Sequence, residues 1–119
     1  MVAVYRPASA MSPLEITIEE GEGKTRLALA GELDIASAPQ FEEGLEKAEA
    51  NGPGVLLLDL RKVEFMDSTG LRAVIAADER ARSEGRRLVI IRGTPAVERV
   101  FSVTQLDQRL EIVDEPEAV

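Results

Sequence analysis

The stretch "VLLLDL" at residues 55–60 constrains the fold more than any other part of the chain. It is apolar without alternation, the mark of a strand covered on both faces and parallel to its neighbours. Such a strand belongs at the centre of a sheet, so the flanking sequence must supply both the neighbouring strands and the layers that cover it.

The flanks provide them. "LEITIEE" and "TRLALAG" alternate apolar and polar residues on either side of residues 21–24, which predicts a hairpin with Leu14, Ile16 and Ile18 on one face. "GELDIASAP" leads into a helix with Ser37 as a possible cap, Phe41, Leu45 and Ala48 at helical spacing, and "NGPG" as its stop. After the central strand, Leu71, Val74, Ile75 and Asp78 or Ala81 share a helical stripe that ends at Gly85. "RLVIIRG" then reads as a strand, and "TPAVERVFSV" as a helix capped by Thr94 with Pro95 in its first turn. "RLEIV" is a last short strand. The expected architecture is α/β: an N-terminal hairpin and a mixed, mostly parallel sheet, with right-handed crossovers placing the helices mainly on one face. Residues 13–113 form this single domain, with a flexible tail at 1–12 and an acidic, disordered one at 114–119.

Composition removes many functions. The chain has 119 residues, enough for one core, and neither cysteine nor histidine. Disulfides, thiolate metal sites, cysteine nucleophiles and imidazole bases are therefore excluded. No apolar run approaches the roughly 20 residues that cross a bilayer, and the start lacks the apolar centre of a secretory signal. A cytoplasmic protein without membrane insertion is expected. With a formal net charge of −8, the chain would repel phosphate backbones, so no nucleic-acid partner is expected. The basic cluster "RRLVIIR" reads as the solvated start of a strand.

The segment "FMDSTGL" at residues 65–71 lies where the central strand ends and the second helix begins, a position often used functionally in α/β folds. Asp67 or Ser68 would serve as a plain helix cap there, with Gly70 permitting close approach. A catalytic Ser68 lacks a base, because none of Lys24, Lys47 and Lys62 stands in a Ser-x-x-Lys arrangement. No phosphate-binding glycine motif is present, and Asp34, Asp59 and Asp67 show no compact metal-ligand spacing. Phosphorylation suits the turn better: a helix N-terminus offers a phosphate free amides and a favourable dipole, and the added charge would fall beside existing carboxylates.

Three segments in order, "LAGELDIASAP", "LLLDLRKVEFMDSTGL" and "GTPAVERVF", resemble the anti-sigma factor antagonists of the STAS domain family across residues 13–113. The resemblance implies a non-enzymatic regulator, without a cofactor of its own, that binds an anti-sigma factor serine kinase and thereby frees a sigma factor. The kinase carries the ATP site. Its phosphorylation of the turn serine abolishes binding, and a serine phosphatase restores it. Ser68 is then the phosphoacceptor and Asp67 its flanking acid, with Asp34 of "GELD" close by. Gly70 and Leu71 complete the turn and begin a helix that forms part of the partner surface. Thr69 is a second candidate acceptor whose plain role is a first-turn helix residue. Gln105 departs from the pattern, standing where family members commonly have glycine. A regulatory subunit of a membrane transport complex and a stress-signalling scaffold are the alternative readings.

Overall fold

A computed structural model describes residues 14–119, and residues 2–5 as backbone alone. In chain order the strands are β1 (Val2–Tyr5), β2 (Glu15–Glu20), β3 (Lys24–Leu33), β4 (Val55–Met66), β5 (Arg87–Ile91) and β6 (Glu111–Val113). The helices are α1 (Ala38–Glu49), α2 (Ser68–Ser83) and α3 (Pro95–Val103). The six strands pair in sequence order. β1, β2 and β3 are antiparallel neighbours, and β3 to β6 run parallel. This is the expected hairpin and mostly parallel sheet. Among the described residues no helix is long and apolar enough to cross a membrane.

Two differences concern the ends. Val2–Tyr5, expected within a flexible tail, form a strand on the outer edge of β2. The free edge of β2 offers unpaired amides and carbonyls, and a β-favouring "VAVY" segment satisfies them. The rest of the expected tail, residues 1 and 6–12, lies outside the described residues. At the other end the acidic segment is folded: Pro116–Ala118 make a 3-10 turn, and Lys24 Nζ donates to the Val119 carbonyl over 2.8 Å.

The reason for that C-terminal turn is the two-sided burial that "VLLLDL" demands. Leu56, Leu58 and Leu60 face the helices and join a core anchored by the fully buried Phe41 and Phe101. Leu57 points the other way and clusters with Val89 and Ile91, where no helix packs; Val55, Val113 and Val119 cover them. Helices thus close one face of the sheet, and the C-terminal turn helps to close the other.

β4 is 12 residues long, twice the expected strand. Its pairing with β3 slips twice, since Ala28 faces Asp59 but Ala30 faces Lys62, and Gly31 faces Val63 but Glu32 faces Phe65. Each slip inserts one extra β4 residue, a β-bulge. Buried positions then recur every third residue, at Leu60, Val63 and Met66, instead of every second. The bulges keep Lys62 and Glu64 out of the core and hide the strand from a period-two search.

Asp59 sits on the face away from the helices and is only 4% exposed. Arg61 donates to it from Nη2 at 2.7 Å, from Nε at 2.9 Å and from its backbone at 3.1 Å, and Arg26 Nε adds a bond at 3.2 Å. Burial pushes this carboxyl up, but the hydrogen bonds from Arg61 and the fields of Arg61 and Arg26 outweigh it and hold Asp59 below the ordinary carboxylate range. The "RRLVIIR" cluster is likewise spent on ion pairs. Arg87 pairs with Glu111 and Arg92 with Glu98 and Asp114. Arg86, expected to be solvated, is tucked between Glu84 and Glu49.

Two predictions follow from these features. Asp59→Asn should cost about 2 kcal/mol at pH 7, less than for a fully buried pair because both arginines reach water. The folded-state carboxyl is held below its unfolded value, so its contribution is complete above about pH 4 and drains away as the pH falls through the lowered value. In urea titrations from pH 7 downward, the gap between wild type and variant should therefore close in acid; a constant gap would refute the assignment. Gln105 adopts the left-handed conformation at φ 61°, which disfavours any side chain. Gln105→Gly should stabilise the domain by roughly 0.5–1 kcal/mol, read as a raised urea midpoint at unchanged slope.

Candidate functional site

β3 and β4 end side by side, with Leu33 paired to Met66, and each strand turns there into a helix. β4 has by then run past its last pairing with β5, at Asp59 and Ile91, so β3 alone flanks the turn within the sheet.

Asp67 joins the two strand-to-helix connections. It is the N-cap of α2 in an extended conformation, and its Oδ1 accepts from the amides of Thr69 at 2.9 Å and Gly70 at 3.0 Å. Its Oδ2 accepts from the Ile35 amide at 3.2 Å, in the neighbouring connection. Its own amide donates to the Leu33 carbonyl at 3.1 Å. Of the two candidate caps, the aspartate takes the role and leaves the Ser68 hydroxyl out of it.

Asp34 shapes the adjacent loop. Its Oδ1 accepts from the amides of Ala36 at 3.0 Å and Ser37 at 3.1 Å. The structure thus brings the two loops together through Ile35 and Asp67, but the Asp34 carboxylate is used within its own turn. Ser37, expected as a helix cap, makes no side-chain cap on α1. Its fully buried hydroxyl turns back to donate to the Glu32 carbonyl at 2.8 Å and accept from the Asp34 amide at 3.0 Å.

Gly70 has a steric reason. A Cβ there would lie 2.7 Å from both the Leu33 carbonyl oxygen and Leu33 Cγ, so only glycine lets α2 start this close to the end of β3. Leu71 is 8% exposed and belongs to the core, because the stripe that anchors α2 begins with it. Gly70 and Leu71 therefore set the position of the turn and present almost no side-chain surface, in contrast to the expectation that they lie on the partner-facing side. Thr69 is half-buried.

Ser68 is exposed at the first position of α2, and among the described residues nothing hydrogen-bonds its hydroxyl. Among the described residues no hydrogen-bonded general base is set against it. The expectation of free amides for a phosphate narrows to one, that of Ser68 itself: Thr69 and Gly70 are held by Asp67 Oδ1, and the Leu71 amide bonds the Asp67 carbonyl. Asp59, considered with Asp34 and Asp67 as a metal set, lies on the far face of the sheet. Among the described residues no cluster of three or more acidic side chains is arranged to hold a metal.

Sequence reasoning missed two neighbours. Ile35 is 74% exposed in the loop whose amide Asp67 holds, and Phe65 is 49% exposed near the end of β4, two residues before Asp67. Their only trace in the sequence is an isoleucine inside an otherwise polar turn and a phenylalanine out of step with the buried positions of β4.

The family profile described as "Mlab, STAS domain" matches residues 16–114. The chain belongs to the STAS domain family. This STAS domain is 34% identical over 102 residues to the anti-sigma-B factor antagonist of Listeria monocytogenes, covering 83% of this chain and 90% of that one. It is 31% identical over 86 residues to the anti-sigma-F factor antagonist RsfB of Mycobacterium tuberculosis, covering 72% and 70% of the two chains. Its fold superimposes on the crystal structure of an anti-sigma factor antagonist from Mycobacterium paratuberculosis with a TM-score of 0.78. That match has 28% identity and covers 92% of this chain and 93% of the other.

The packing of this STAS domain at Gly70 is directly testable. Gly70→Ala should destabilise it by about 1–3 kcal/mol, because the added methyl must push α2 off the Leu33 carbonyl. Amide NMR should show the disturbance at Asp67 and Ile35; a variant with unchanged stability and spectra would contradict the close approach.

Proposed function

We propose that the chain is an anti-sigma factor antagonist, a regulator rather than an enzyme, whose working group is the Ser68 hydroxyl. Unmodified, it binds an anti-sigma factor that is itself a serine kinase, and so releases a sigma factor. Phosphorylation of Ser68 by that kinase, using ATP held by the kinase, ends the binding, and a serine phosphatase reverses it in the cytoplasm. The observation that carries this reading is an exposed, unbonded serine next to the Asp67 cap, on a turn that also leaves Ile35 and Phe65 exposed. The relatives that bear the antagonist name add to it.

The physical mechanism is local. Ile35 and Phe65 supply apolar area that a partner covers, and a partner that also covers the turn desolvates Ser68. A neutral hydroxyl tolerates this. A phosphate adds about −1.5 to −2 charge beside the Asp67 carboxylate, and its burial in the interface would cost more than the apolar contact returns. Asp67 cannot relieve the repulsion by turning away without dropping three amides. In this reading Asp34 holds the loop that presents Ile35, Gly70 and Leu71 fix the helix behind the serine, and Thr69 is a weaker acceptor because it is less exposed.

Ser68→Ala should bind the anti-sigma factor as wild type does and take up no phosphate, as read by mass spectrometry after incubation with the kinase and ATP. Ser68→Asp should bind at least about tenfold more weakly, a loss of about 1.4 kcal/mol. Phosphorylation of Ser68→Ala at an unchanged rate would sink the assignment.

A further inference from the structure

We infer that Arg72 is the group that receives a phosphate on Ser68. The inference deepens the preceding reading and rests on Ser68 as the acceptor. Ser68 and Arg72 stand four residues apart on α2 and both are exposed. That spacing puts them on one face of the helix, with β-carbons roughly 5–6 Å apart. The order is also the favourable one, anion before cation along the helix.

Two observations single out Arg72. The first is that the amides of the three residues after Ser68 are occupied. With Thr69 and Gly70 bonded to Asp67 and Leu71 bonded to the Asp67 carbonyl, only the Ser68 amide itself is left for a phosphate, whose other oxygens need side-chain donors. The second is that Arg72 has no ion pair or hydrogen bond among the described residues, whereas Arg80 and Arg82 of the same helix are paired with Glu49 and Asp78. Lys62 also lacks an ion pair among the described residues, but it lies four strand residues before Met66, about 13 Å along β4. A guanidinium one helical turn away presents a planar fork that fits two phosphate oxygens.

The modification then does two things at once. It adds charge at the turn beside Asp67, and it draws Arg72 toward the start of α2, removing a free cation from the surface an acidic group of a partner could use. The phosphate is held against the helix instead of swinging in solvent.

The test is a four-protein cycle. Phosphoserine is installed at position 68 by genetic encoding, in wild-type and Arg72→Gln chains, and each is melted beside its unmodified counterpart. Phosphoserine should lower the Tm by roughly 2–4 °C more in the Arg72→Gln chain than in wild type. The difference should shrink in about 0.5 M salt. The Nε–Hε resonance of Arg72 should move when the phosphate is present, and Arg72→Lys should recover only part of the difference. Additive melting temperatures with an unmoved Arg72 resonance would overturn the inference. No kinase enters the cycle, so that result would leave the antagonist reading standing. Conversely, a phosphoserine-68 chain that still binds the anti-sigma factor with full affinity would defeat the Ser68 switch of the preceding reading and leave the Arg72 contact untouched.

Discussion

The Asp67 carboxylate holds the working end of this domain together. One oxygen closes the first turn of α2 on two amides, and the other reaches across to the Ile35 amide in the connection after β3. Hydrogen bonds to a charged acceptor are worth about 1.5–3 kcal/mol each when well made. Their larger effect here is geometric, because two separate chain crossings become one rigid surface. Gly70 completes the lock by letting the helix rest on the Leu33 carbonyl. Ser68 is the residue left over: it follows the cap, precedes the packed stripe, and has no structural duty among the described residues.

The same strand that delivers this turn also divides the molecule. Leu56, Leu58 and Leu60 bind the helical layer, while Leu57 and Asp59 face the side closed by sheet residues and the C-terminal turn. Asp59 is tolerated there because Arg61 and Arg26 meet both of its oxygens. Beyond Leu60 the two bulges let β4 continue without burying Lys62 or Glu64, and they leave Phe65 outward just before Met66 turns in. The exposed aromatic beside the serine is thus a by-product of how β4 is extended, which is why no amphipathic pattern announced it.

Much of the fold was legible because it rests on local patterns. The hairpin alternation, the continuous apolar centre of β4, the helical stripes and the Thr94 and Asp67 caps all survive in the structure. What could not be read depends on partners distant in sequence. β1 exists because β2 has a free edge; the C-terminal turn exists because Leu57, Val89 and Ile91 need cover. The direction of the Ser37 hydroxyl depends on the Glu32 carbonyl, which no helix rule anticipates. At the site, composition singled out the turn, and the order of three segments carried the resemblance that pointed to Ser68. Which amides were free, and which apolar side chains stood beside the serine, became visible only in three dimensions.

These constraints bear on how a small modification could act in a chain that already carries a net charge of −8. Two further negative charges hardly change the global field, which is screened beyond about 8–10 Å in any case. Their effect must therefore be exerted within the first few ångströms of Ser68. A flexible loop would absorb them by moving aside. This turn has no such freedom, because Asp67 is fixed on three amides and Gly70 sits against Leu33. In the proposed switch, a partner covering Ile35 and Phe65 would have to accept the charge where it stands or leave, so rigidity would be what converts a local charge into loss of binding.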